Sequence, residues 1–331
     1  MAFLKSIGAV GPGTSTEPNA TDQFDAMTIL LNFLTKVTTP TTGTITHAWV
    51  VLKDDSATVP GERHVYLKGL GLSGTDAIFV NIRVYSDIPT DSRNWEIRGA
   101  TGFNDLSDFN SQPGISTVRS YLTLNDDVAM PFWIVATERR FICIFKIVTT
   151  YSACHCGWYL PYATPTQFPY PMYNGGSTYR DDIAWNTTNY TVGNFYDGPV
   201  TSDGDSVAQL RHRDGTWLSA ASYNSTTGAT RPTNSDSNVE CYTTMYDENI
   251  SSSGNFEQEV VDNADGSYPL IPVTLWSPQN SGNVYGEIEG VFWTASRNNT
   301  AESIITVSAD SYLVVQNMYR TSEANMALKL V

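Results

Sequence analysis

A segment at residues 141–151 is apolar on both of the faces that a β-strand presents, and it constrains the fold more than any other part of the sequence. Side chains alternate between the two faces of a strand with a period of two residues. A strand with one solvated face alternates apolar and polar residues instead. One face here carries Phe141, Cys143, Phe145 and Ile147, and the other carries Ile142, Ile144 and Val148. The segment therefore predicts a central strand that is covered on both sides.

In further segments, apolar and polar side chains alternate with the same period of two residues, which indicates that most of the chain forms β-sheet. In residues 78–85, aliphatic side chains alternate with Phe, Asn, Arg and Tyr, as in a half-buried strand. We therefore predict a mainly β fold with an antiparallel sheet or sandwich core, and α+β as the alternative. Additional strands are expected at residues 45–52, 132–136, 286–293, 304–307 and 312–316.

One segment has helical spacing. Thr21 and Asp22 are residue types that cap helix N-termini, and Pro40 requires the helix to end before it. We expect one N-terminal helix with a buried stripe. That stripe consists of Phe24, Met27, Leu31 and Leu34.

Composition divides the chain into four regions. Residues 1–20 are rich in Gly, Pro, Ser and Thr, which predicts an extended arm because such a segment buries little apolar area. Residues 21–175 are expected to form the β-rich core. Residues 176–265 are rich in Asn, Ser, Thr, Asp and Gly, which predicts a loop-rich insertion or subdomain. Residues 266–331 are expected to return to the core as C-terminal strands.

The charge balance narrows the classes of partner. The chain has 19 Lys and Arg residues and 34 Asp and Glu residues, which gives a net charge of −15. Phosphate backbones and anionic membrane surfaces both require a basic face. No apolar run approaches the ~18 residues that cross a bilayer, and the N-terminus lacks the pattern of a signal peptide. We therefore expect no nucleic-acid partner and no membrane insertion.

A segment at residues 159–173 combines four prolines with aromatic residues, so it is unsuited to an internal strand. We expect a rigid, extended ribbon that lies in a groove of its own chain or of a partner. Charged residues make up only 16% of the chain, below the roughly 25% that is typical of soluble domains, which favours contact with neighbouring subunits. The expected interface anchors are Tyr162, Phe168, Tyr170 and Tyr173.

The sequence contains none of the common signatures of a hydrolase elbow, a phosphate loop or a zinc protease. Gly204-Asp205-Ser206 with His212 is only a weak hint of a serine hydrolase, because a triad must meet in space. We therefore expect no enzymatic activity, no catalytic residues and no cofactor.

Cys154-His155-Cys156 is the best candidate for a metal site. On a strand, however, the two cysteines point to one face and His155 to the other, so core thiols are the favoured interpretation. With Cys143 and Cys241 the chain has four cysteines, which allow three fully paired connectivities. We expect free buried thiols, and disulfide pairing stays open.

Tryptophan and tyrosine residues raise a second class of function. Sugars stack on exposed aromatic rings, so Trp217, Trp276 and Trp293 are candidates for contact with a host-surface glycan. The competing interpretation is that these rings fill a sheet core or an interface.

Several longer stretches of the sequence resemble those of a known protein family. They include YLKGLGLSGTD at 66–76, NWEIRG at 94–99, YLPYATP at 159–165, NVYGEIEGVF at 283–292 and YLVVQNMYRT at 312–321. In these strings the chain resembles a family of tailed-bacteriophage virion proteins, over most of residues 25–175 and 265–331. The resemblance implies a structural virion component, assembled in the host bacterial cytoplasm with further copies of itself and other virion proteins. It supplies no catalytic residues.

We therefore expect a tail or baseplate component that acts through packing between subunits. The alternatives are a receptor- or glycan-binding tail component, a capsid decoration protein and a virion-borne glycan hydrolase.

Overall fold

A computed structural model describes residues 1–6, 22–55, 62–71, 77–85, 93–116, 120–124, 129–147, 150–176, 208–222, 241–243, 270–277, 283–295, 299–316 and 324–330. These ranges contain one α-helix, α1 (Gln23–Leu34), a short 3-10 turn at Phe109–Ser111 and twenty strands. In chain order the strands are β1 (Ala2–Lys5), β2 (Thr42–Gly43), β3 (Val50–Asp54), β4 (Glu62–Leu70), β5 (Ala77–Tyr85), β6 (Arg93–Ala100), β7 (Ser120–Leu124), β8 (Phe132–Ala136), β9 (Arg140–Ile147), β10 (Thr150–Trp158), β11 (Leu160–Pro161), β12 (Met172–Gly176), β13 (Ala208–Arg211), β14 (Trp217–Ser222), β15 (Cys241–Thr243), β16 (Ile271–Ser277), β17 (Asn283–Ala295), β18 (Ile304–Val307), β19 (Asp310–Gln316) and β20 (Ala324–Lys329).

The strands in these ranges form two sheets. The smaller sheet has five antiparallel strands in the order β3-β4-β5-β6-β7. The larger sheet has fifteen strands in the order β18-β19-β20-β17-β16-β15-β14-β13-β12-β10-β9-β8-β1-β2, with β11 paired to β17 beside this path. Its neighbours are antiparallel except β14 and β15, which run parallel. The prediction of a mainly β, sandwich-like fold with one helix is confirmed.

Strand β9 lies between two apolar cores, as its two-faced sequence predicts. Phe141, Cys143 and Phe145 face one core, which also contains α1 and the inner face of the five-stranded sheet. Ile142 and Ile144 face the other core, which the C-terminal strands β16, β17, β19 and β20 complete. The large sheet therefore packs against the small sheet on one face and against its own C-terminal strands on the other.

Helix α1 begins where the capping pattern predicts. The Asp22 carboxylate accepts hydrogen bonds from the amides of Phe24 and Asp25, at 2.8 and 2.6 Å, so it satisfies two amides that the first turn leaves unpaired. The helix contacts β5 and β6, and the indole of Trp95 donates to the carbonyl of Gln23 at 3.0 Å. No helix in the described part of the chain has the length and apolar character to cross a membrane.

The structure places strands inside two of the predicted regions. Ala2–Lys5 are not part of an extended arm, because they form β1 between β8 and β2, with Phe3 and Leu4 buried. Residues 7–21 lie outside the described residues. Of the predicted insertion or subdomain at 176–265, the described ranges 208–222 and 241–243 contribute β13, β14 and β15 to the large sheet.

Candidate functional site

Residues 159–173, which we call the aromatic ribbon, pack against their own chain. The prediction that the segment is unsuited to an internal strand is wrong at its end, because Met172 and Tyr173 begin β12, which lies between β10 and β13. Leu160 and Pro161 pair with Glu287 and Gly286 of β17, and the amide of Tyr162 donates to the carbonyl of Tyr285 at 2.9 Å. A Cβ atom on Gly286 would lie 2.0 Å from the Leu160 carbonyl oxygen. The close approach of the ribbon to β17 therefore requires glycine at this position.

Two of the four predicted interface anchors lie inside the chain itself. Phe168 and Tyr173 are buried in the second core. The Phe168 ring meets the rings of Tyr159 and Tyr285 edge-on, with centroid distances of 5.7 and 6.4 Å. Tyr173 lies edge-on to His155 at 5.6 Å. Both side chains hold the ribbon onto its own fold.

A side-chain-capped turn fixes the middle of the ribbon. The Gln167 side-chain carbonyl accepts hydrogen bonds from the amide and the hydroxyl of Thr164, at 3.1 and 3.0 Å. The amide of Phe168 also donates to the Thr164 carbonyl at 3.0 Å. The exposed part of the ribbon is therefore preorganised by local bonds.

Of the other two predicted anchors, Tyr162 lies at the surface, whereas Tyr170 packs against the first core. Tyr162 is 58% exposed, and its hydroxyl donates to Glu287 at 3.1 Å. Partial burial and the Glu287 carboxylate raise the pKa of Tyr162. Tyr170 is half-buried, and the Arg211 guanidinium stacks 5.2 Å from its ring centroid. Burial lowers the pKa of Arg211.

The β13–β14 turn borders the ribbon and carries a histidine–carboxylate pair. His212 Nδ1 lies 3.0 Å from Asp214, and Asp214 also accepts from the hydroxyl and amide of Thr216 at 2.7 and 2.9 Å. These bonds, the Thr216 hydroxyl foremost, lower the pKa of Asp214 to about 2. The His212 ring packs edge-on to Tyr285 at 5.5 Å. His212 and Asp214 thus stabilise the turn, and Ser206 of the hydrolase hint lies outside the described residues.

The thiols occupy the first core as the strand alternation predicts. Cys143 lies opposite Cys154 in the β9–β10 register, and Cys156 shares their face. All three are buried free thiols. Burial raises the pKa of Cys143 and of Cys156, whereas the pKa of Cys154, which burial alone would raise, is lowered by hydrogen bonds from these two thiols.

His155 points away from the thiols, into the second core. Burial, followed by the nearby charge of Arg140, lowers its pKa well below the ordinary value, so the imidazole is neutral. The His, Cys, Asp and Glu side chains of the described ranges form no group of three that could hold a metal ion. Cys241 lies in β15, and its side chain is outside the described part.

The tryptophan candidates for glycan contact have different positions. Trp217 is half-buried beside the first core, and its indole nitrogen donates to the Gly114 carbonyl at 3.0 Å. Trp276 and Trp293 lie in β16 and β17, opposite Tyr242 and Ile271, with side chains outside the described part. Of the three, the structure therefore assigns contacts to Trp217 alone, and those contacts are internal.

A charged cluster on the outer face of the small sheet was missed at the sequence level. Glu96 is fully buried and pairs with both Arg83 and Arg98. The two guanidinium groups lie 5.2 and 5.9 Å from the ring centroid of Phe109, which belongs to the loop 101–116. The signal available in the sequence is the polar alternation of β5 and β6, but nothing local identifies the aromatic ring that covers it.

No protein-family model matches the chain, and no curated protein matches it in sequence. The structure exposes Tyr162 beside Glu287, buries Phe168 in the second core, and holds Tyr170 half-buried beside Arg211 against the first core.

Proposed function

We propose that the chain is a structural component of a tailed-phage virion, in the tail or baseplate, and that it works by packing against other subunits. The observation that carries the proposal is the exposed Tyr162, held on a ribbon that its own chain fixes in place. Tyrosine is enriched in the centres of protein interfaces, where its ring contributes large contact area. The sequence resemblance supports the same assignment.

Preorganisation gives this surface a physical advantage. An interface residue that is already fixed loses less conformational freedom on binding, which preserves more of the contact energy. The hydrogen bond from Tyr162 to Glu287 and the Thr164–Gln167 turn provide that fixing before any partner arrives. The ribbon surface therefore suits a permanent contact in an assembly.

Charged side chains elsewhere support a scaffold role. The Glu302 carboxylate accepts hydrogen bonds from Lys146 and from the hydroxyl of Tyr151. Lys329 pairs with Asp310 at 2.8 Å. The Glu302 contacts tie the residue before β18 to β9 and β10, and the Lys329–Asp310 pair joins the neighbouring strands β20 and β19.

A glycan-binding tail component is the second candidate, and one observation favours it. An exposed tyrosine ring beside the carboxylate of Glu287 offers a stacking face and a hydrogen-bond acceptor, the two groups that sugar recognition requires. Trp217 adds little to this candidate, because its indole N–H already bonds to Gly114. Neither capsid decoration nor glycan hydrolysis gains such an observation from the described residues.

The test is complementation of particles that lack the chain, with Tyr162→Ala, Tyr162→Phe and Val37→Ala variants. Val37 is an exposed apolar residue after α1 and serves as the control. Tyr162→Ala removes the ring and is expected to reduce the amount of chain in purified particles strongly. Tyr162→Phe keeps the ring and, like Val37→Ala, should be incorporated normally. Normal incorporation of Tyr162→Ala would contradict the proposal. Normal incorporation with reduced, sugar-competed adsorption would establish the glycan candidate instead.

A further inference from the structure

Four strands end the two sheets in the described ranges: β2, β3, β7 and β18. The outer edge of a terminal strand presents unpaired backbone groups, which can pair with another chain. Proteins that avoid such pairing shorten the strand, cover it, bulge it or place charges on it. The four edges of this chain differ sharply in these protections.

Three of the edges are protected. β2 has only two residues. β3 contains a bulge between Val51 and Lys53 and carries Asp54, which pairs with Arg63 at 2.7 Å. At β7, a Cβ atom on Gly176 of β12 would lie 2.2 Å from the carbonyl oxygen of Tyr121, so β12 covers this strand.

Within the described part of the chain, the edge of β18 has no bulge, no charge and no covering strand, and at four residues it is twice as long as β2. Its sequence is Ile304-Ile305-Thr306-Val307, four β-branched residues with no charge and no proline, and its register with β19 is continuous. Ile304 is 54% exposed and Val307 is 45% exposed. β-branched residues favour the extended conformation. The strand is thus formed, apolar and open along one edge within the described part of the chain.

The backbone groups that face outward can be assigned. The carbonyl of Ser303 accepts a hydrogen bond from the amide of Val314 at 2.9 Å, so Ser303 faces β19. In an antiparallel ladder, successive residues face the partner strand alternately. The amide and carbonyl groups of Ile304 and Thr306 therefore point away from β19, toward the open edge.

Glu302 holds this edge in place. It has a φ of +72°, a left-handed conformation that costs a residue with a side chain of the order of 1 kcal/mol. Its amide donates to the carbonyl of Val314 at 2.7 Å, and its carboxylate is bound by Lys146 and Tyr151 of β9 and β10. The start of β18 is therefore anchored to the centre of the large sheet.

We infer that β18 is a self-association strand, which pairs antiparallel with β18 of a second copy of this chain. A two-fold axis through Ile305 places Ile304 opposite Thr306 of the second copy, and the outward backbone groups of both residues can then exchange hydrogen bonds. Glu302 falls opposite Ser308, so no acidic residue faces another despite the net charge of −15. Such self-complementarity is what a two-fold interface requires.

The inference rests on the proposed function in one respect: it names a contact by which copies of a structural subunit join. The test is sedimentation velocity of the full chain over a concentration series, with Ile304→Lys and Val50→Lys variants. Val50 is 50% exposed on the protected edge β3 and is therefore a matched control. Circular dichroism and thermal unfolding of each variant show whether it remains folded.

The wild-type chain and Val50→Lys are expected to dimerise with concentration, and Ile304→Lys to weaken dimerisation about tenfold or more. A second variant, Thr306→Pro, removes an outward amide without removing a bond to β19, and it should have the same effect. A wild-type chain that stays monomeric overturns the inference, as does a dimer that neither variant weakens. A β18 edge that is needed for incorporation into particles but does not pair two copies of this chain also overturns the inference, because the strand would then bind a different protein.

The two proposals fail separately. A monomeric chain that is still incorporated into particles would overturn the β18 contact and leave the virion role intact. A chain that dimerises through β18 but is absent from purified particles would overturn the virion role and leave the contact intact.

Discussion

The indole ring of Trp217 lies against the bare backbone of Gly99, so close that a Cβ atom on Gly99 would stand 2.2 Å from the ring. Trp217 belongs to β14 of the large sheet and Gly99 to β6 of the small sheet. A second contact joins the sheets nearby, because the side-chain amide of Gln209 donates to the carbonyl of Ile97 at 3.0 Å. This pair of contacts locks the two layers in one relative position.

We expect Gly99→Ala to destabilise the chain by about 1–3 kcal/mol, because the added methyl group forces Trp217 outward. It would also stand 2.5 Å from the side-chain amide of Asn174. Denaturant unfolding followed by tryptophan fluorescence measures the change. Gly102→Ala is the control, since its Cβ meets Pro113 at 3.1 Å and a smaller loss is expected. Equal stability of Gly99→Ala and wild type would contradict the packing described here.

Glu96→Gln should lower the free energy of unfolding by about 3 kcal/mol, because it leaves Arg83 and Arg98 side by side without their counter-charge. Asp105 pairs with Lys53 at 3.5 Å and is largely exposed, so Asp105→Asn should change stability by less than about 1 kcal/mol. Hydrogen exchange should show earlier opening of the loop 101–116 in Glu96→Gln. A loss no greater than that of Asp105→Asn would contradict a structural role for the buried cluster.

Because Tyr66 titrates, the free energy of unfolding should decrease as the pH rises from 10 to 12. Burial, with the charges of Asp55 and Asp108, raises the pKa of Tyr66 from 10.0 to about 12. The folded state therefore keeps this proton where the unfolded state loses it, so the stabilisation is complete below pH 10 and is lost as the pH passes through about 12. Denaturant unfolding at several pH values measures how steeply the free energy of unfolding falls with pH. This dependence should be less steep in the Tyr66→Phe variant. Identical slopes would argue against this environment.

The three core thiols should be inaccessible to a soluble thiol reagent. In a Cys241→Ser background, Cys143, Cys154 and Cys156 should react about 1,000-fold or more slowly in the native chain than in the denatured chain, because reaction requires opening of the core. Absorbance of the released product follows the rate. Rapid reaction in native buffer would show that these side chains are not enclosed between the sheets.

The alternation of neighbouring side chains and the helix-capping residues were enough to predict the features of the fold that depend on them. The two-faced sequence of β9 placed it between two layers, and the alternation of Cys154, His155 and Cys156 separated the thiols from the imidazole. The capping signal at Asp22 located the start of the helix. In each case the side-chain period alone determines which residues share a face.

Long-range fit was beyond the same reasoning. Phe168 and Tyr173 are aromatic residues of the type that anchor interfaces, yet they lie in a core that strands distant in sequence, β17 among them, complete. The composition of residues 1–20 predicts an arm that buries little apolar area, but β8 and β2 pair with Ala2–Lys5 on either side. The alternation of side chains shows which residues share one face of a strand. The element that covers that face depends on contacts between residues that are distant in sequence.

An image reconstruction of the phage particle at side-chain resolution tests the central claim most directly. The account predicts several symmetry-related copies of this sandwich in the tail or baseplate, with the ring of Tyr162 buried against another subunit. A particle without the chain would contradict the account. So would a chain present in the particle with Tyr162 facing solvent in every copy.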